Sequence, residues 1–349
     1  MDEAGAIRDV LVLGGGPAGC AAAIHCAQRG LKVTLLEAKA FPRHRPGETL
    51  HPGVEPVLGQ LGVLERVLAA KFPRHEGNWI EWGAQPLRFE SFGRDADGPW
   101  RGFQAWRETF DALLLERARE VGVEIHQECS AREVIRENGR VTGVVSSAGA
   151  RTAAWTVDAA GSHHWLARQL GLPVKKFSPR LTARYGYARG RCPARDDAPL
   201  ISADATGWTW TARIQPELYQ WTRLDFTRIS RPAKWLPGEL QGLVNEGAAR
   251  AADVTWRKVE PVAGPGFFLV GDAAAVLDPA ASHGVLKALM SGMMAAHLIE
   301  SAWRSGQPET HAMLAYQEWL TGWFDADVAK LRALYSLLSP ARFEAVSSS

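Results

Sequence analysis

Ile7-Arg8-Asp9-Val10-Leu11-Val12-Leu13-Gly14-Gly15-Gly16-Pro17-Ala18-Gly19 is the stretch on which the fold turns. Residues 7–13 form a short apolar run suited to a strand buried on both faces. The glycines end it, and an alanine-rich helix is expected to about Arg29, with Gly30 as its stop. Leu31–Leu36 reads as a second strand that closes on Glu37, completing a βαβ unit. The spacing Gly14-x-Gly16-x-x-Gly19 gives each glycine a task. Gly14 permits the tight turn, Gly16 lets the backbone approach a pyrophosphate, and Gly19 lets helix and strand pack closely. Pro17 and Ala18 open the helix, whose free N–H groups and partial positive charge suit phosphates. Glu37 can accept hydrogen bonds from ribose hydroxyls. The unit predicts a dinucleotide site.

The surrounding chain has 349 residues, enough for two domains or one large domain with an insertion. Lys and Arg total 40 against 38 Asp and Glu, a net charge of +2, so bulk charge holds neither nucleic acid nor an anionic membrane. A 46% hydrophobic and 22% charged composition is that of a folded globular chain rather than a disordered one. Cys20, Cys26, Cys129 and Cys192 form no CxxC pair and no histidines stand at metal spacing, so neither a disulfide framework nor a metal site is expected. The apolar stretch Gly284–Ile299 is interrupted by Lys287, Ser291 and His297 and is too short to span a bilayer. No signal peptide is visible, and a cytoplasmic location is the expectation.

Further along, a loop rich in Pro, Arg and His (41–53) leads to a helical stretch from about Val54 to Ala70. Short strand-like pieces fill 77–104. A helix from about Trp106 to Val121 runs into a strand at Val123–Gln127, and a hairpin turns at Asn138-Gly139. Trp155–Ala159 is a further buried strand. Between 180 and 260 the pattern changes to alternation, at Leu181–Arg189, Trp208–Ile214, Leu218–Phe226 and Asp253–Glu260, which predicts an antiparallel sheet. Phe267–Val270 returns to parallel-strand character, and helices are expected over about Gly284–Arg304 and Glu309–Leu338.

A second motif separates FAD from NAD, which share the glycine fingerprint. Val270-Gly271-Asp272-Ala273-Ala274 is followed by Asp278-Pro279 and by Ser282-His283-Gly284-Val285 at the head of a helix. Asp272 can face a ribityl chain, and the helix start at Gly284 and Val285 can face the flavin pyrimidine, where reduction builds negative charge. The fold class follows: α/β, with a discontinuous Rossmann-type FAD-binding domain (1–75, 105–175 and 261–305). An antiparallel-sheet substrate domain (76–104 and 176–260) is inserted in it, and a C-terminal helical segment (306–349) follows.

With Arg45-Pro-Gly-Glu-Thr-Leu50, Arg107-Glu-Thr-Phe-Asp111 and Asp158-Ala-Ala-Gly-Ser162 with Arg168 added in order, nearly the whole chain resembles the class A flavoprotein monooxygenases and, more closely, the flavin-dependent halogenases. The resemblance implies FAD between the domains, Arg107 on the flavin side, and Arg45, Glu48 and His51 close to the ring. For Asp158, turn capping and nucleotide support both stand. It also implies O2 as a substrate, an electron donor that is NAD(P)H or a separate flavin reductase, and electrophilic oxygen transfer from a flavin C4a-hydroperoxide.

The leading expectation is hydroxylation of an aromatic substrate, tryptophan or indole-like and free or peptide-borne. Halogenation, or reduction of the isoprenoid-reductase type, is the alternative. Alternation places Trp208 and Trp210 on one face; with Trp79 they are the candidate substrate wall, or else they pack the back of the sheet. Halogenases relay hypohalous acid through a lysine before a strand similar to Gly77–Gly83; the stretch Phe72–Gly77 holds none, and Lys71 lies upstream. His51 and His283 are the candidates for proton handling, while His163 and His164 are expected at the surface.

Overall fold

The structure, a computed structural model, describes residues 8–338 except 228, 230, 233 and 307, together with Phe343. Ile7, expected to start the first strand, lies outside the described residues, as do most residues after 338.

The opening unit forms as its sequence dictates. Strand β1 (Arg8–Leu13) runs into helix α1 (Pro17–Ala27) and then strand β2 (Val33–Leu36), parallel to β1. β1 is the hub of the larger sheet. On one side lie β2 and then Glu124–His126; on the other lies the strand Gly149–Asp158. That long strand serves two partners. Its first half closes a hairpin with Arg140–Ser146, and its second half runs parallel to β1 and to Phe267–Leu269. A segment more than a hundred residues downstream is thereby returned to the nucleotide-binding sheet.

The second sheet has seven strands in the order Val244–Asp253, Thr182–Arg189, Leu218–Asp225, Gly207–Gln215, Leu200–Asp204, Gly77–Trp82 and Arg88–Ser91. It corrects the expected antiparallel sheet in two ways. Leu200–Asp204 and Gly77–Trp82 pair in parallel, because the second arrives from a different part of the chain. The expected strand Asp253–Glu260 breaks where Asp253 accepts the Thr255 amide. Arg257–Val259 then joins a separate three-stranded sheet with Val174–Lys176 and Ala275–Val276.

One helical stretch differs from expectation. The stretch from Val54 divides into Val54–Leu61 and Leu64–Ala69, because Gly62 takes a left-handed conformation (φ 71°) with the Arg117 guanidinium packed against it. The last helix is a single span, Glu309–Ser336. Among the described residues no helix is long and apolar enough to cross a membrane.

Close packing brings the two cofactor motifs together. A Cβ on Gly292, in the helix Gly284–Ser305, would lie 2.2 Å from the Ala18 carbonyl oxygen, so that helix rides directly on α1. One on Gly271 would lie 2.9 Å from the Ala18 Cβ.

Candidate functional site

The glycine loop has the geometry its spacing requires. Gly14 has φ 102°, and a Cβ there would sit 2.5 Å from the Ala159 carbonyl oxygen; one on Gly19 would sit 1.9 Å from that of Gly14. The Gly15 amide donates to Glu37 Oε2 at 2.8 Å and the Lys39 amide to Oε1 at 2.9 Å, which fixes this buried carboxylate beside the loop. No side chain caps α1 at Gly16, so its first-turn N–H groups face the loop without a side-chain partner.

Arg43 is a site residue that sequence reasoning missed. It is 8% exposed, lies between Glu37 (3.7 Å) and Asp111 (3.2 Å), and approaches within 3.5 Å of where a Gly16 Cβ would be. Its buried Nε has no partner. An orphaned cationic donor beside uncapped helix amides is matched by an anionic diphosphate, so these residues fit FAD. Only the arginine type in the loop after β2 hinted at this role.

Arg107 forms the opposite wall. Its Nε and Nη2 grip Asp111 at 2.9 and 3.1 Å, and Nη1 donates to the Pro46 carbonyl at 2.8 Å. Burial works against the charge, but Asp111, Glu48 and Asp272 together outweigh it and the pKa is raised. Arg107 thus ties the Pro46–Glu48 turn to the helix Arg107–Glu120. Glu48 is 2% exposed and accepts the Tyr187 hydroxyl at 2.6 Å; burial raises its pKa against that bond's pull. Tyr187 belongs to the second sheet, so this bond ties the Pro46–Glu48 turn to that sheet.

Arg45 and Asp272 are both exposed, and Gly271 donates to Ser291 Oγ at 2.8 Å. Desolvation by the surrounding protein raises the Asp272 pKa, opposed by the charges of Arg257, Arg107 and Arg45. Gly284 is exposed and Val285 half-buried at the helix start. His164 corrects the surface expectation. It is 3% exposed, its Nδ1 lies 2.9 Å from the Ala273 carbonyl oxygen, and its Nε2 accepts from Arg257 Nε at 2.9 Å. The left-handed backbone at His164 (φ 49°), invisible in the sequence, turns the ring inward. Asp158 accepts the Ala160 and Leu166 amides, at 2.8 and 2.9 Å, so its side chain caps the turn and the following helix. Burial raises its pKa to about 6. Arg168 is exposed on that helix.

The two histidine candidates meet. His51 and His283 have ring centroids 4.6 Å apart, and Phe92 packs against His51 at 5.3 Å. A third imidazole, His75, lies across Phe92 at 5.3 Å, with its Nδ1 on the Gly77 carbonyl oxygen and its Nε2 buried without a partner. Burial lowers all three pKa values, that of His75 to about 4.

The tryptophans divide. Trp210 shares a row with Ile201, Thr222 and Tyr185; the next row on that face is Ala212, Gln220 and Tyr187, the residue that reaches Glu48. Half-buried Trp210 therefore lies on the same face of the sheet as Tyr187. Trp208 is on the same face but is fully buried, and its indole N–H donates to Tyr335 Oη at 2.6 Å. The C-terminal helix covers it, which corrects the expected substrate contact. Trp79 falls in the row of Leu200, Thr211 and Trp221 on the opposite face and packs edge-on to Phe89. It too is not a groove wall, because a single step along a strand reverses the face. Lys71 is exposed on the rim of a separate pocket of about 360 Å³ with Trp106 and Arg213. Among the described residues no group of three His, Cys, Asp or Glu could hold a metal.

Comparison with known proteins agrees with this geometry. A model of the FAD binding domain matches residues 8–187, and one described as tryptophan halogenase matches residues 100–300. The 1H-pyrrole-2-carbonyl-peptidyl-carrier-protein brominase of Pseudoalteromonas luteoviolacea (strain 2ta16) is 28% identical over 90% of this chain and 82% of its own. The tryptophan 2-halogenase of Chondromyces crocatus is 30% identical over 84% of this chain, a match that spans 61% of that protein. The structure of the myxobacterial chondrochloren halogenase CndH, an FAD-dependent halogenase, superposes with a TM-score of 0.86 at 26% identity, covering 96% of this chain and 84% of that one.

Proposed function

The chain belongs to the tryptophan halogenase family of FAD-binding proteins, and from that premise we propose that it uses reduced FAD, O2 and halide to halogenate an electron-rich aromatic ring. The observation that carries this is the likeness to a brominase along 90% of the chain, joined to residues around the glycine loop that fit FAD. Halogen transfer thereby takes precedence over the hydroxylation expected from the sequence. Bound FAD, once reduced, would supply the activation of O2. The protein's share is binding and orientation. Glu37 would hold the adenosine ribose, Arg43 and the α1 amides the diphosphate, and Arg107, Arg45 and Asp272 the flavin end. Trp210 and the Tyr187–Glu48 bond wall the groove against water, which strengthens every electrostatic contact inside.

The substrate in this reading is an aromatic small molecule or an aromatic group carried on a peptide or carrier protein, as the name of the brominase suggests for that relative. The electron donor is NAD(P)H or a separate flavin reductase, and the setting is cytoplasmic. A second reading, insertion of oxygen, is favoured by one specific observation: the stretch Phe72–Gly77 offers His75 and no lysine to relay hypohalous acid.

The test supplies L-tryptophan, indole and pyrrole-2-carboxylate under O2 with reduced FAD, with and without bromide. A bromide-dependent mass gain of one bromine supports halogenation. A bromide-independent gain of one oxygen replaces it with the second reading. A colourless protein that cannot be reconstituted with FAD removes both.

A further inference from the structure

We propose that the paired imidazoles divide the proton work of the reaction: His283 is the base that accepts the proton lost by the aromatic ring, and His51 is a fixed neutral hydrogen-bond donor beside it. This rests on the reading of the chain as an enzyme of aromatic substitution and assigns roles within that site.

The backbone sets the two rings in opposite states. The Gly53 amide donates to His51 Nδ1 at 3.0 Å, so that nitrogen carries a lone pair and the ring proton sits on Nε2. Protonating His51 at Nδ1 would cost that bond. In His283 the partner is inverted. Nδ1 lies 2.5 Å from the Ala281 carbonyl oxygen, which can only accept, so Nδ1 carries the proton and Nε2 keeps its lone pair. One ring therefore offers N–H and its neighbour a lone pair, with centroids 4.6 Å apart and planes tilted by 49°.

Both rings are half-buried, so the exposed edges remain reachable. They come from loops far apart in sequence, one after the Glu48 turn and one at the head of the helix Gly284–Ser305. The charged and titratable groups around them act in one direction. Burial lowers the His51 pKa and His283 adds to it; burial also lowers the His283 pKa, and Lys287 and Lys330 add to that, against the Ala281 hydrogen bond. His75 lies beyond Phe92, and Lys287 is itself paired with Asp327 over the Trp323 ring. The His283 lone pair is consequently free at neutral pH.

The step balances. An electrophilic halogen, carried as hypohalous acid formed from halide and O2 with reduced FAD supplying the other two electrons, bonds to a ring carbon as its bond to oxygen breaks and hydroxide leaves. The ring C–H bond then breaks, its electron pair restores aromaticity, and the proton passes to His283 Nε2. The hydroxide, hydrogen-bonded by His51 Nε2–H, takes that proton and leaves as water.

The first experiment is two-bond 15N–1H NMR of the histidine-labelled protein at pH 7, with His51→Gln and His283→Gln variants for assignment. The expected result is an Nε2–H tautomer for His51, an Nδ1–H tautomer for His283, and His283 taking up a proton before His51 on acidification. The opposite tautomers, or His51 titrating first, overturn the proposal. The second uses indole and ring-deuterated indole with bromide, reduced FAD and O2. His283→Gln should turn over about 100-fold more slowly with unchanged FAD binding and an increased isotope effect, whereas His51→Gln should keep the wild-type isotope effect. A His283→Gln enzyme as fast as wild type defeats the base assignment. A wild-type enzyme that brominates none of indole, L-tryptophan and pyrrole-2-carboxylate counts against the functional reading instead, and the tautomers alone then judge the pair.

Discussion

Asp111 shows what one residue can hold in place. It is fully buried, and two arginines, Arg43 and Arg107, depend on it for charge balance. Removing one partner of a buried ionic network leaves the others uncompensated, which costs about 3–5 kcal/mol. Asp111→Asn should lower unfolding stability by that order in urea titrations and should weaken FAD binding, because both arginines lose their anchor. Gly19→Ala tests a steric limit. The added methyl would overlap the Gly14 carbonyl, so the loop must shift, and the purified variant should lack flavin absorbance. The glycines could be read from the sequence because only glycine fits such approaches. Arg43 and His164 could not, because an arginine in a loop or a histidine at a helix start has no period that gives its direction.

Among the elements, the C-terminal helix Glu309–Ser336 matters most for the second sheet. Tyr335 Oη donates to Asp278 Oδ2 at 2.9 Å while accepting the Trp208 indole N–H, and Trp256 donates to the same carboxylate oxygen at 2.5 Å. Trp82 and Trp256 stack on the Tyr335 ring. The knot joins the sheet, the last helix and the loop before His283. Tyr335→Phe and Trp208→Phe should each cost about 1 kcal/mol, and the double variant should cost less than the sum, since both remove the same bond. A thermal double-mutant cycle measures this.

Burial raises the Asp278 pKa to about 6, against its hydrogen bonds from Trp256 and Tyr335. A carboxyl whose folded pKa exceeds its unfolded one near 3.8 binds more protons when folded. Its stabilisation is therefore complete below about pH 4 and is lost as pH rises through about 6, a change of roughly 3 kcal/mol. Asp158 contributes with the same sign. Asp278→Asn should therefore remove this one contribution, so that the stability difference between wild type and variant shifts against the wild type by about 3 kcal/mol between about pH 4 and 6, as followed by urea unfolding of both proteins across that range. The helices and most strands were legible from periodicity. The break at Gly62 and the departure of Arg257–Val259 into a third sheet were not, because a backbone turn and a change of partner leave the apolar pattern almost unaltered.

At the scale of the whole molecule, the two cofactor motifs meet because the chain returns. Phe267–Leu269 re-enters the first sheet beside Gly149–Asp158, which sets Gly271 against Ala18 and the head of the next helix beside the histidine loop. A ligand that binds only this assembled state stabilises it by mass action, by about 2.7 kcal/mol at a free concentration of 100 Kd. Adding FAD to flavin-free protein should accordingly raise the thermal midpoint in a concentration-dependent way, and an unmoved midpoint would argue that the two motifs do not grip one cofactor. The sequence by itself determined the βαβ unit, the second flavin motif and the alternation of the second sheet, since glycine sterics and side-chain periodicity are local. Only the tertiary structure decided that His51 meets His283, that Trp208 is sealed under Tyr335 while Trp210 stays half-buried on the Tyr187 face, and that Trp79 lies on the other face of its sheet. Those outcomes depend on which strand pairs with which, and pairing is fixed by contacts between residues that are distant along the chain.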